Sequence, residues 1–138
     1  EKKGLPIDFH KQIWEHKQEL TLKKLRELKP NKTLIKLMSS LVKDGYKISV
    51  CSNSIRKTCL TVLSKLGIME FMDLVISNED VKNSKPHPEM YWKAISMMSC
   101  LPEETLIVED SPYGLLAASR SKSHILRVKN TKETTLQQ

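Results

Sequence analysis

The sequence predicts an α/β fold with a mainly parallel sheet and helices on both faces, and three features carry that prediction. Short apolar runs recur at residues 46–51, 73–76, 106–108 and 124–128, each of the length of a buried strand. Between them lie segments whose apolar residues recur at helical spacing. Polar clusters, Ser52-Asn53-Ser54, Lys85-Pro86 and Glu109-Asp110-Ser111, stand just past strands or at helix starts, on the rim where doubly wound sheets bind ligands. Alternating strands and helices with right-handed crossovers give three layers, α/β/α.

The chain has 138 residues, one domain's worth and enough to bury a core. Charged residues make up 28% and apolar ones 39%, the balance of a soluble globular protein rather than a disordered one. No apolar run approaches the roughly 20 residues of a membrane span. No apolar signal-peptide core follows Glu1-Lys2-Lys3-Gly4, so no membrane and a cytoplasmic location are expected. Cys51, Cys59 and Cys100 are odd in number and show no Cys-x-x-Cys spacing, which fits reduced, buried thiols better than disulfides or zinc. The net charge of +7 is concentrated early, from Lys2 to Lys36. A basic face attracts anions, nucleic acid among them, but no aromatic stacking pattern interleaves with these lysines. A solvated helix face is the expectation, and no nucleic acid is expected as a partner.

Residues 8–28 read as one long helix or two short ones, capped by Asp8, with Ile13, Trp14, Leu22, Leu25 and Leu28 inward. Pro30 ends this section. Asn31 is a new N-cap, and Leu34, Leu37, Met38, Leu41 and Val42 mark one face of the next helix, closed by Asp44-Gly45. Residues 46–51 form the first strand, around Ile48 and Val50. The following helix buries Ile55, Cys59, Val62, Leu63 and Leu66 and stops at Gly67. A second strand over 73–76 leads into a polar stretch, then a helix with Pro88 at its first position and Tyr91, Ala94, Ile95 and Met98 inward. Leu106-Ile107-Val108 is a buried third strand, Ser111 caps a helix over 112–121 with Pro112 first, and 124–128 is a fourth strand. The polar tail from Lys129 is expected to fray.

The polar clusters suit a phosphate. Ser52 can donate its hydroxyl beside the amides and positive end of the next helix. Lys85 can neutralise phosphate charge as a point cation. Glu109 and Asp110 are hard oxygen donors suited to Mg²⁺, directly or through water.

Their order and spacing carry a resemblance. Val50-Cys51-Ser52-Asn53-Ser54, Ser84-Lys85-Pro86-His87-Pro88-Glu89 and Val108-Glu109-Asp110-Ser111-Pro112-Tyr113-Gly114 resemble the second, third and fourth motifs of the haloacid dehalogenase (HAD) superfamily, in its β-phosphoglucomutase-like branch. The likeness covers residues 30–128. It implies a Rossmann-like core, Mg²⁺ as cofactor and a small phosphorylated metabolite, such as a sugar phosphate, as substrate. It implies that Ser52, with Asn53, and Lys85 stabilise the transferring phosphoryl group, and that Glu109 and Asp110 hold the metal. In the family an aspartate attacks the phosphorus, and water or a second hydroxyl then receives the phosphoryl group.

The family's first motif, Asp-x-Asp-Gly-(Thr/Val), which carries that aspartate, occurs nowhere in these residues. Residues 1–29 therefore resemble a remnant of the family's helical cap, and 30–138 its core without the first strand. That strand lies mid-sheet in the family, between those carrying the second and fourth motifs, so a preceding segment or second chain is expected to complete the sheet. The chain alone is expected to be inactive on phosphate monoesters. A metabolite-binding module without catalysis is the alternative. Lys122 stands where the family has Gly at a helix end, and a left-handed Lys costs about 1 kcal/mol there.

Overall fold

A computed structural model describes residues 7–129 of the chain. The elements run α1 (Ile7–Glu27), α2 (Lys32–Lys43), β1 (Ser49–Cys51), α3 (Arg56–Leu66), β2 (Leu74–Ile76), α4 (Glu89–Met97), β3 (Leu106–Glu109), α5 (Pro112–Ser121) and β4 (His124–Arg127). Strands and helices alternate in the predicted order. The expectation for the tail concerns residues that, beyond Lys129, lie outside the described part.

Local chemistry sets several boundaries as expected. Asn31 caps α2, its side chain accepting from the Leu34 amide at 3.0 Å. Ser111 caps α5 by accepting from the Gly114 amide at 3.0 Å, with Pro112 opening the helix. α3 stops at Gly67, where φ is +77° and a Cβ would stand 2.8 Å from Cδ1 of Ile35. Other boundaries move. Asp8 lies within α1, next to its first described residue. Pro88 is the N-cap of α4, one residue outside the expected position. β1 is three residues long, because its ladder to β2 runs only from Ser49 opposite Leu74 to Cys51 opposite Ile76. Ile48 is held instead by its neighbour chain: its amide donates to Oδ2 of Asp73, and the Asp73 amide to its carbonyl, both at 2.8 Å.

β1 pairs in parallel with β2, and β3 with β4, where Leu106 faces His124 and Glu109 faces Arg127. The predicted sheet is thus two parallel pairs, and among the described residues no strand joins β1 to β3. α4 links the two halves. Met90 and Ala94 pack with Ile76, Tyr91 packs with Ile107, Ala117 and Ala118 of the other half, and Cys51 touches both groups. A third cluster, Cys59, Leu63, Ile68 and Val75, is covered by Leu34, Ile35 and Met38 of α2.

Burial departs from the sequence expectation in three places. In β3 only Ile107 is buried, whereas Leu106 and Val108 are 59% and 44% exposed. Successive strand residues face opposite sides, and the described elements cover one side only. In α1 Leu25 is buried, but Ile13, Trp14 and Leu22 are each more than half exposed. The apolar stripe is helical, yet nothing described lies against most of it. In α2 the inward side is rotated toward Ile35, and Val42 is 44% exposed.

Lys122 ends α5 with φ +63°, the left-handed conformation anticipated for it. Lys122→Gly is accordingly expected to raise stability by about 1 kcal/mol, read as a higher urea midpoint at unchanged m value. A lower midpoint would show that the lysine side chain contributes more than its backbone conformation costs.

Candidate active site

Three loops meet where β1 and β3 end. The loop after β1 clasps the loop before α4 through Asn53. Its Oδ1 accepts from the Lys85 amide at 3.0 Å, and its Nδ2 donates to the Lys85 carbonyl at 3.1 Å. The Lys85–Pro86 peptide is cis. Glu89 folds the turn before it, its carboxylate accepting from the amides of Lys82 and Asn83 and from the Asn83 side chain, each at 2.9 Å. The backbone of Lys85 is therefore fixed from both sides.

Its side chain crosses from one half of the fold to the other. The Nζ donates to the Cys51 carbonyl at the end of β1, at 3.0 Å, and to Oε2 of Glu109 at the end of β3, at 3.1 Å. Both side chains of this ion pair are nearly buried, 9% and 10% exposed. An ammonium has three protons, and two are placed by these bonds.

Glu109 is held on every side. Its Oε2 also accepts from the Tyr91 hydroxyl at 2.7 Å. Its Oε1 accepts from the Asp110 amide at 3.1 Å, the Ser111 amide at 3.2 Å and the Ser111 hydroxyl at 3.1 Å. Burial pushes the carboxyl up, but the Tyr91 hydroxyl, the Lys85 charge and the Ser111 amide outweigh it and hold its pKa at about 2. The acid is thus a carboxylate at neutral pH. Burial, then the bond to Glu109, holds the Tyr91 phenol well above its ordinary range, so it stays a donor. Burial raises the Cys51 thiol to about 11 against the opposing pull of Ser49 and Lys85. That thiol is protonated and unreactive at neutral pH; of the three cysteines Cys59 is buried, while Cys51 and Cys100 are partly exposed.

Gly114 makes this arrangement possible. A Cβ there would lie 2.0 Å from Cδ of Glu109 and 2.1 Å from its Oε2. The first turn of α5 can approach the carboxylate only because that side chain is absent.

Ser52 follows Cys51 directly, and its hydroxyl accepts from the Ser54 amide at 3.1 Å while keeping a proton to donate. The helix beside it is less open than the sequence suggests. α3 starts at Arg56, whose amide already donates to Oε2 of Glu79 at 2.6 Å. Asp110 is exposed beside the nearly buried Glu109. Lys85, Asn53 and Glu109 are thus joined by direct bonds, whereas Ser52 and Asp110 flank them through their chain neighbours. Tyr91 and Gly114 were not read as site residues. The signals available were a phenol on an apolar helix face, which needs a partner, and a glycine inside a helical pattern.

The donor set can be tested against Mg²⁺. Among the described residues no three His, Cys, Asp or Glu side chains gather as a metal site. Mg²⁺ commonly takes one or two carboxylates and completes its shell with water and phosphate oxygens. The exposed Asp110 fits a direct ligand. Glu109, whose two oxygens already accept five hydrogen bonds, would have to release one of these donors to hold the metal, directly or through water.

Residues 2–128 match the family profile of the haloacid dehalogenase-like hydrolases. The chain belongs to that family. Pyrophosphatase PpaX of Bacillus mycoides is 31% identical over 96 residues, which are 70% of this chain and 45% of the relative. The PpaX of Halalkalibacterium halodurans is 29% identical over 94 residues, 44% of its length, so the chain spans less than half of these curated relatives. Among solved structures, β-phosphoglucomutase of Clostridium difficile superposes with a TM-score of 0.76 at 20% identity, covering 99% of this chain and 67% of that one. A protein described as a predicted phosphoglycolate phosphatase, from Haemophilus somnus, gives 0.77 at 22% identity, covering 92% and 57%. These likenesses establish the HAD-like, Rossmann-type α/β fold. Among the described residues no helix is long and apolar enough to cross a membrane.

Proposed function

We propose that this chain carries the phosphate-holding part of a Mg²⁺-dependent phosphoryl-transfer site for a small phosphorylated metabolite such as a sugar phosphate, as a phosphatase or phosphomutase. The observation behind the reading is the buried Lys85 ammonium, tied to Glu109 and to the Cys51 carbonyl, with a proton left for an anion at the strand-end rim. Lys85 and Ser52 bind the equatorial oxygens, and Asn53 orients Lys85 by gripping its backbone. Asp110 would hold the metal directly, and Glu109 would do so through water once one of its donors is released. The bound metal supplies neutralisation of phosphate charge. The relatives named as pyrophosphatase and β-phosphoglucomutase support a small phosphorylated substrate.

In this reading residues 1–29 are a remnant of a helical cap and 30–138 the HAD-like core lacking its first strand. A strand from a preceding segment or a second chain pairs with β1 and β3 and brings the nucleophilic aspartate. The second reading is a phosphate- or metabolite-binding module without catalysis.

Titration with inorganic phosphate tests the shared core of both. Binding is expected to require Mg²⁺ and to weaken about tenfold or more in Asp110→Ala, with no turnover of p-nitrophenyl phosphate by the 138 residues alone. Binding indifferent to Mg²⁺ and to Asp110 would refute the metal assignment. Turnover by the full-length protein separates enzyme from binding module.

A further inference from the structure

We propose that Tyr91 is a positioning residue that frees Lys85 to engage phosphate, an inference that rests on the phosphate-binding function proposed above. Lys85 and Tyr91 donate to the same oxygen, Oε2 of Glu109, at 3.1 Å and 2.7 Å. The Lys85 ammonium also lies 5.5 Å from the centre of the Tyr91 ring. Tyr91 is 6% exposed, and its bond to Oε2 is partly buried.

The shared acceptor decides what happens when an anion arrives. A phosphate draws the ammonium away from Glu109. Without a second donor, that movement would leave one oxygen of a nearly buried carboxylate unpaired, an expensive state. Tyr91 stays on Oε2 and keeps it satisfied while Lys85 turns part of its charge to the ligand. The ring face also lies beside the ammonium at rest. Lys85 thus holds the two halves of the fold together at rest and remains available to an anion. Tyr91 acts through Glu109 and Lys85 and does not itself touch the phosphate.

Tyr91→Phe keeps the ring and removes the hydroxyl. Inorganic phosphate, titrated with Mg²⁺ into the full chain by calorimetry, is expected to bind about tenfold more weakly to Tyr91→Phe. In a Glu109→Gln background, where no anion restrains Lys85, the same substitution is expected to change affinity less than about twofold. A purely structural tyrosine would weaken binding equally in both backgrounds, and that result would overturn the proposal. Unchanged affinity in folded Tyr91→Phe would also overturn it while leaving the phosphate site intact. A wild-type chain that binds no phosphate would remove the function and this inference together. If Tyr91→Phe does not fold, the wild-type chain decides by NMR with ¹³C at the tyrosine Cζ. The Tyr91 signal is expected to move on saturation with phosphate, as Lys85 withdraws and its hydroxyl becomes the sole side-chain donor to Oε2. A stationary signal at saturation would refute the inference.

Discussion

Gly114→Ala is expected to destabilise the chain by about 3 kcal/mol and to dismantle the site. In an ordinary helix the same change would stabilise by about 0.5–1 kcal/mol, so the expected sign is the reverse of the local rule. The added Cβ would stand 2.0 Å from Cδ, 2.1 Å from Oε2 and 2.5 Å from Cγ of Glu109. A side chain end can usually step aside, but this one is tied to Lys85, Tyr91, Asp110 and Ser111. Moving it breaks those bonds; leaving it moves the first turn of α5, which Ser111 caps and which packs Ala117 and Ala118 against Ile107. Urea unfolding measures the loss. Adding Glu109→Ala to Gly114→Ala removes the obstruction and should recover part of the stability relative to Gly114→Ala alone. A Gly114→Ala chain as stable as the wild type would mean that Glu109 has another position of equal energy.

Which features were legible in the sequence follows from how local their causes are. Asn31 and Ser111 were readable as caps because a cap needs only a short polar side chain and the amides of the next turn. The three motif loops were readable because each follows a strand or opens a helix. Burial was not local. The alternation that puts Ile107 inside and Leu106 and Val108 outside depends on which layers surround β3, and the sequence run is apolar at all three positions. The stripe on α1 identified a helix correctly but could not say what covers it. Lys85 and Glu109 were each singled out for an anion or a metal. That they bind one another, with Tyr91 on the same oxygen and Gly114 making room, depends on residues brought together by the fold. Pairing also changed the reading of Glu109. Two adjacent acids suggested two equivalent ligands, but one is saturated by donors and the other is exposed.

Lys85→Met should be as costly as Gly114→Ala, at about 3 kcal/mol near neutral pH. Methionine keeps most of the apolar stem and removes the charge, so the loss reports the ammonium rather than a cavity. The Cys51 carbonyl loses the Lys85 donor and Oε2 of Glu109 loses one of its two, and the connection between the ends of β1 and β3 goes with them. The pH dependence gives the cause away. In the wild type Glu109 titrates near 2 instead of its ordinary 4.5, so its contribution to stability is present above about 4.5 and is lost as pH falls toward 2. Without the Lys85 charge, burial pulls the carboxyl upward, and the variant loses the benefit of ionisation at higher pH. The stability gap between wild type and Lys85→Met is therefore expected to be widest at neutral pH and to close in acid, as Glu109 becomes neutral and the wild-type ammonium is left without its counterion. A gap constant from pH 7 to 3 would assign the loss to packing instead. Adding Glu109→Gln to Lys85→Met removes the stranded charge while leaving Tyr91 an oxygen to bond, and should return part of the stability. Phosphate binding should not return with it, because the cation is still absent. That separation would show that the buried pair is kept for the anion it can hold rather than for the stability it lends.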